Sequence, residues 1–307
     1  MKRLLLTSMT ALILSAGTTW AGPTDDANAA AAYKRGDYAT VLEIVRPLAA
    51  QGYAKAQSNL GLMYQQGKGV PQDYAKALKW YHLAAAQGYA TAQFNLGNMC
   101  DTGVGVAQSY TEASKWYHLA AAQGIAKAQY YLGALYDQGH GTKQDLAEAV
   151  KWYRLAAEQG YAAAQSNLGA SYEKGQGVRQ DYAEALKWYR LAAPQGNAVA
   201  QFNLGSLYDQ GQGIKQDYVV AVKWYRLAAE QGYAAAQSNL GVSYLKGHGV
   251  AQDTVRAHMW FIVGAMSGYA DAMKNRDITS KRMTPHQIAE AQKMASDCQH
   301  RNFRGCT

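Results

Sequence analysis

The chain has 307 residues, of which 49% are hydrophobic and 17% charged, a balance that excludes an intrinsically disordered protein. Its 5 prolines leave room for long helices. The formal charge of +8 is too modest to point to nucleic acid, and no nucleic-acid partner is expected.

The first segment is separate from the rest. Lys2 and Arg3 precede an apolar stretch from Leu4 to Ala16, and Thr19-Trp20-Ala21 offers small residues before a cut. These are the parts of a secretory signal peptide, here residues 1–21. The stretch is short for a membrane span, so no transmembrane segment is expected after cleavage; an uncleaved anchor is the alternative. No Cys follows it, so a lipid anchor is not indicated. The expected destination is a bacterial periplasm, with secretion as the alternative. The segment holds two basic and no acidic residues, leaving +6 on the mature chain.

Residues 22–52 read as a capping half-repeat. Asp37-Tyr38 lies 36 residues before Asp73-Tyr74, but the Gly-rich loop between the helices is missing. Six 36-residue units follow, at 53–88, 89–124, 125–160, 161–196, 197–232 and 233–268. Trp80, Trp116, Trp152, Trp188, Trp224 and Trp260 mark them at one fixed position. Each unit follows the pattern A-x-A-Q-x-N-L-G-x-x-Y-x-x-G-x-G-V-x-Q-D-Y-x-x-A-x-K-W-Y-x-L-A-A-x-Q-G.

The pattern predicts two helices per unit. In the first, helix A runs roughly from Ala54 to Gln66 and Gly67-Lys68-Gly69 stops it. Asp73 then caps helix B, as do Asp145, Asp181, Asp217 and Asp253, with Ser109 standing in once. Helix B ends at Gln87-Gly88. The alanines allow close helix approach, and Trp80 and Tyr81 fill the space between helices. One such pair cannot bury its apolar face alone, so neighbours must stack. Residues 269–307 read as a C-terminal cap, in which Thr284-Pro285 opens a last helix.

The A-x-A-Q-x-N-L-G-x-x-Y entry helix, the G-x-G-V loop and the A-x-K-W-Y-x-L-A-A exit helix resemble Sel-1-like repeats, a branch close to the tetratricopeptide repeats. The resemblance implies an all-α fold, a right-handed superhelical α-solenoid of tandem helix–loop–helix repeats. It also implies a role in protein–protein interaction or complex assembly, without naming a partner.

Comparing the six units with one another separates core from surface. Helix A is numbered from Tyr53, Tyr89, Ile125, Tyr161, Asn197 and Tyr233 as position 1. At about 100° per residue, the constant positions fall on one arc and the varying positions 3, 6, 10 and 13 on the opposite one. A core position must fit the same neighbour each time, whereas a surface position need not. In tetratricopeptide-like solenoids helix A lines the concave groove, so the resemblance places the varying arc there. The expected partner-binding residues are Ser58, Leu62, Phe94, Asn98, Asp101, Tyr130, Ala134, Asp137, Glu173, Phe202 and Asp209. The competing explanation is drift on a free surface. Position 7, usually Asn, either grips a bound peptide or satisfies the inter-helix loop.

Cys298 and Cys306 are close enough in sequence to close a disulfide around the end of the last helix in an oxidising compartment. Cys100 takes the place of a repeated Tyr and is expected to be a buried free thiol. Catalytic motifs are absent: no H-E-x-x-H, G-x-S-x-G or C-x-x-C occurs, and Gly67-Lys68-Gly69 lacks the spacing of a phosphate-binding loop. His82 and His118 share a slot with Arg154, Arg190 and Arg226 and read as solvated polar residues. The repeated Lys79, Lys115, Lys151, Lys187 and Lys223 read as a solvated face. No metal or cofactor is expected. The reading is a non-catalytic scaffold that binds a protein or peptide, with cell-envelope components among the candidate partners. A binder of anionic envelope polymer such as cell wall, using the positive charge, and a hydrolase with a dispersed site are the alternatives.

Overall fold

The computed structural model describes residues 23–306, so the signal peptide expected at 1–21 lies outside the described residues. Every regular element among them is helical. Helices α1 (Pro23–Arg35) and α2 (Tyr38–Ala50) precede the repeats. The repeats supply α3 (Ala54–Gln66) with α4 (Tyr74–Ala86), α5 (Ala90–Thr102) with α6 (Tyr110–Ala122), and α7 (Ala126–Gln138) with α8 (Leu146–Glu158). They continue as α9 (Ala162–Lys174) with α10 (Tyr182–Ala192), α11 (Ala198–Gln210) with α12 (Tyr218–Ala229), and α13 (Ala234–Lys246) with α14 (Thr254–Met266). Helices α15 (Ala270–Ser280) and α16 (Pro285–His300) close the chain. The residues form two compact units, one ending at Gln144 and the other beginning at Asp145. Each unit is a tandem helix–loop–helix solenoid.

The turn chemistry fixes where each helix stops and restarts. Gly67 ends α3 at φ 66°, and Gly69 turns the chain again at φ 72°, conformations that L side chains rarely adopt. Asp73 then accepts the Lys76 amide at 2.9 Å and starts α4. Between them, Gln72 Nε2 donates to the Gln65 carbonyl at 2.9 Å, pinning the loop to the end of helix A. The same amide bond recurs from Gln108, Gln180, Gln216 and Gln252. Ser109 caps α6 through the Glu112 amide. The loop also packs on the previous repeat: a Cβ on Gly105 would stand 2.5 Å from Tyr74 Cβ.

The core is built from alanine and tyrosine. Ala77, Ala84, Ala113, Ala120, Ala185 and Ala192 are fully buried, which lets helices approach closely. Tyr81, Tyr117, Tyr189 and Tyr225 are buried completely, each contributing roughly 1.5–3 kcal/mol by removing its ring from water. Their rings pack directly against the helix A glycine: a Cβ on Gly97 would come within 2.6 Å of Tyr117 Cδ1. That contact is why a glycine is tolerated in mid-helix despite its entropic cost.

Within each unit, a ladder of glutamines ties a repeat to the one before it and its own two helices to each other. Buried Gln165 donates to the Ala157 carbonyl at 3.1 Å, and its own Oε1 accepts Gln195 Nε2 at 2.9 Å. The same pair forms between Gln57 and Gln87, Gln93 and Gln123, and Gln201 and Gln231. In the sixth repeat Ser267 stands where that second glutamine would be, and the buried Gln237 Oε1 has no hydrogen-bond partner.

The C-terminal end closes differently. Thr284 and Gln287 form a reciprocal capping box at the start of α16, with Pro285 at its first position. Cys298 and Cys306 are joined, their Cα atoms 5.2 Å apart. The knuckle between them places Asn302 and Phe303 at φ 50° and 64°, and the Phe303 ring packs beside Gly232. Cys100, expected in the core, is only half-buried. It shares position 12 of helix A with Tyr64, Tyr136, Tyr172 and Tyr208, which are half-buried too, whereas Tyr244 there is buried.

Candidate functional site

The most elaborate side-chain arrangement surrounds the buried helix B tyrosine. In the fourth repeat the Tyr189 hydroxyl donates to Glu173 Oε2 at the end of α9, at 2.6 Å. Asn203 Nδ2, from α11 of the next repeat, donates to the same hydroxyl at 3.1 Å. Three helices meet at one phenol. Elsewhere Tyr81 bonds Gln65 at 2.7 Å, Tyr117 bonds Asp101 at 3.0 Å, and Tyr225 bonds Asp209 at 3.4 Å. Asn95 and Asn239 stand on the same side of Tyr81 and Tyr225 and partly offset the effect of burial on their hydroxyls. Burial pushes all four hydroxyls upward in pKa, so each stays a neutral donor.

This bracket corrects the surface expected from the helix A pattern. Positions 6 and 13 are seven residues apart, almost two full turns, so they share an azimuth that faces the tyrosine. At position 13, Asp101, Glu173 and Asp209 are half-buried and engaged by that tyrosine rather than projecting toward a partner. Asp137 is half-buried as well. At position 6, Ser58 is 2% exposed and cannot touch a partner. The aromatic residues there are half-buried. Phe94 packs on Tyr117 and Tyr131 at 5.9 and 6.0 Å, and Phe202 on Tyr225 and Tyr233 at 5.9 and 5.2 Å. Tyr130 stands edge-on to Tyr131 at 5.3 Å. Position 10 stays half-exposed throughout, as Leu62, Asn98, Ala134, Ala170, Ser206 and Val242, although Asn98 and Ser206 also reach toward the hydroxyls of Tyr117 and Tyr225.

At position 7 the Asn203 amide completes the tyrosine bracket instead of serving the inter-helix loop. In the third repeat Tyr131 takes that place and stacks on Tyr117 at 5.5 Å. The Arg slot on helix B is not simply solvated either. Arg154, Arg190 and Arg226 donate to the hydroxyls of Tyr172, Tyr208 and Tyr244 at 2.7, 2.9 and 3.3 Å. His82 meets Trp116 edge-on at 5.7 Å. The repeated Lys is on an exposed face, where Lys115, Lys151 and Lys187 pair with Glu112, Glu148 and Glu184. Such pairs are worth about 0–1 kcal/mol, and they neutralise much of that face.

Two concavities open on helix A, one in each compact unit. The first, about 320 Å³, is lined by Asn59 and Leu62 of α3 with Tyr33, Lys34 and Val45. The second, about 200 Å³, is lined by Asn239, Val242 and Lys246 of α13 with Asp209, Tyr218 and His248. His248 stacks on Tyr218 at 4.2 Å. Burial raises the Asp209 carboxyl above its ordinary pKa, against the opposing pull of His248, the Tyr225 hydroxyl and Lys246. Among the described residues, no group of three His, Cys, Asp or Glu is placed to hold a metal. No helix among them is long and apolar enough to cross a membrane.

The fold and the repeated bracket define a helix–loop–helix scaffold, in which the recurring polar side chains hold neighbouring helices together. The Sel1 repeat family model matches residues 54–89, 90–125, 126–161, 162–197, 198–233 and 234–269, and the chain belongs to the Sel1 repeat family. It is similar to a Sel1 repeat protein from Oxalobacter formigenes, at 34% identity and a TM-score of 0.71, over 79% of this chain and 97% of that one. It is also similar, at 28% identity and a TM-score of 0.47, to a protective antigen of uropathogenic Escherichia coli strains with an SLR fold, over 88% of this chain and 81% of that one. A Sel1 repeat protein from Klebsiella pneumoniae aligns at 24% identity and a TM-score of 0.44, over 66% and 99% of the two chains. No curated protein matches the chain.

Proposed function

We propose that this scaffold binds a protein or peptide through the position 10 face of helix A. One observation carries the reading: each unit has a concavity lined at position 10 of helix A, by Leu62 in one and Val242 in the other. Position 10 changes from repeat to repeat while staying half-exposed. The exposed face of helix B instead repeats one Lys and one Leu, and its Lys residues are largely paired with Glu. A variable, partly apolar, concave face favours a specific partner over a uniform polymer. The binding surface is narrower than the helix A arc as a whole, because positions 6 and 13 are occupied by the tyrosine bracket. Export to the periplasm is part of the proposal; the Leu4–Ala16 stretch and the joined Cys298 and Cys306 support it.

Photo-crosslinking in the native compartment tests both parts. A crosslinking amino acid at Asn98 or Ser206 is expected to yield one discrete adduct, and at Lys115 or Lys187 none. Adducts confined to the lysine sites would overturn the reading.

A further inference from the structure

The 320 Å³ cavity lies where the first five repeats place a tyrosine ring and the sixth places Phe261. The correspondence follows from the caps. Gly36 ends α1 as Gly67 ends α3, and the amide after each glycine bonds back five residues, Asp37 to Ala32 and Lys68 to Met63. Asp37 caps α2 as Asp73 caps α4. The half-repeat can therefore be aligned side chain by side chain. Val45 occupies the place of Tyr81, and Ala30 the place of Gly61, whose missing Cβ makes room for the Tyr81 ring. Ala29 occupies the place of Leu60, which is Leu in all six repeats. Two large side chains have thus become small, and Val41 in place of Ala77 restores only part of the volume. Ala29, Ala30, Val41 and Val45 all line the resulting cavity.

The polar ends of the site are displaced in a defined way. In the repeats the phenol oxygen meets one acceptor at position 13 and one donor at position 7, which suits a hydroxyl. In the half-repeat Lys34 occupies the position 13 place and Asn59 the position 7 place, and both line the cavity. Lys34 only donates and carries a positive charge, and the Asn59 amide can donate through Nδ2. A carboxylate there gains a charge-assisted hydrogen bond from Lys34 that a neutral hydroxyl does not, while Asn59 Nδ2 serves its second oxygen. Lys55 adds a second ammonium to the lining, and no Asp or Glu is among the described lining residues. The volume stands at the lower end of the roughly 300–1,000 Å³ typical of ligand pockets.

We infer that this cavity binds a small arene carboxylate, its ring in the place of the absent tyrosine and its carboxylate between Lys34 and Asn59. The site concerns a small ligand on the isolated mature chain, so it stands or falls independently of the helix A partner.

The probe is 4-hydroxybenzoate, followed by amide chemical shifts of the full mature protein. Saturable shifts confined to residues 29–63 are expected, with Kd about 1 mM or tighter. The neutral 4-hydroxybenzamide and Lys34→Gln should each weaken binding by roughly tenfold or more, the scale of a lost charge-assisted hydrogen bond. The double variant Val45→Tyr with Ala30→Gly rebuilds the repeat's own tyrosine and glycine. It should abolish binding while raising Tm, and Ala29→Leu fills the same space from α1 should that variant fold poorly. Absence of saturable shifts at about ten times the expected Kd would overturn the assignment. So would undiminished binding in both filled variants, or equal binding of the amide.

Discussion

Tyr189 and Glu173 are bonded at 2.6 Å in the fourth repeat, and in the sixth both partners are replaced together, by Phe261 and Leu245. A buried hydroxyl without an acceptor is costly, whereas an apolar pair of similar shape costs little. The prediction is a strong coupling between the two sites. Glu173→Leu alone should destabilise the chain by about 1–3 kcal/mol, because the Tyr189 hydroxyl loses its acceptor. Adding Tyr189→Phe should recover much of that loss. Urea denaturation of the wild type, both single variants and the double variant measures the coupling; additive losses would show that the bond carries no net stability.

The broken end of the glutamine ladder gives a stabilising prediction. Gln237 Oε1 is buried without a partner, and Ser267 stands at the position from which a glutamine serves Gln57, Gln93, Gln165 and Gln201. Ser267→Gln should therefore raise stability by about 0.5–1.5 kcal/mol, one net hydrogen bond. Thermal melting of the single variant decides it, and an unchanged Tm would mean that water already serves Gln237.

Much of this architecture was legible in the sequence because its determinants are local. The Asp caps, the glycine stops and the 36-residue spacing place α3 at Ala54–Gln66, as the pattern predicts. The helix A face was legible only in part. Variation suggests exposure, but Gln65, Asp101, Glu173 and Asp209 vary in identity while keeping one acceptor for one buried hydroxyl. Their shared chemistry, and its joint loss at Leu245 and Phe261, was the available signal. The half-repeat cavity was not legible in the same way, because Val45 and Ala29 read as ordinary core residues until the shortened loop is aligned on Gly36.

The helix A glycine is predicted to be a strict steric requirement. A Cβ on Gly97 would stand 2.6 Å from Tyr117 Cδ1, against a ring that is itself fully buried. Gly97→Ala, which would gain helix propensity in an exposed helix, should instead cost about 1–3 kcal/mol through overpacking. Pairing it with Tyr117→Val, the side chain found at Val45 opposite Ala30, should relieve the clash. Denaturant midpoints of the two variants test this, and a neutral Gly97→Ala would show that the ring can shift.

The cysteines give a chemical prediction. Cys298 and Cys306 are joined and Cys100 is free, so intact protein should carry one alkylatable thiol and gain two on reduction. Burial pushes the Cys100 thiol above its ordinary pKa, with Glu112 adding to the shift. The thiolate is the reactive form, so native labelling should be slow at neutral pH and accelerate as pH rises past the usual thiol range. Mass spectrometry of labelled peptides separates the sites. Removing the bridge should also release the knuckle that holds Phe303 beside Gly232, opening Arg301 and Arg304 to trypsin.

Asp209 supplies the pH-dependent prediction. Its carboxyl is raised by burial, so the folded chain holds that proton more tightly than the unfolded chain does. Below the unfolded carboxyl pKa of about 3.9 both states are protonated and Asp209 costs nothing. As pH rises through the raised folded value, ionisation is paid for in the folded state alone and stability falls. Asp209→Asn keeps an oxygen to accept the Tyr225 hydroxyl and removes the buried charge. The variant should therefore be more stable than the wild type at neutral pH, with the advantage shrinking toward zero as pH drops below the ordinary carboxylate range. Melting curves at pH values on both sides of that range measure the difference. A constant advantage at every pH would assign the gain to packing, and a loss at neutral pH would mean that His248 and Lys246 hold the carboxylate more strongly than burial opposes it.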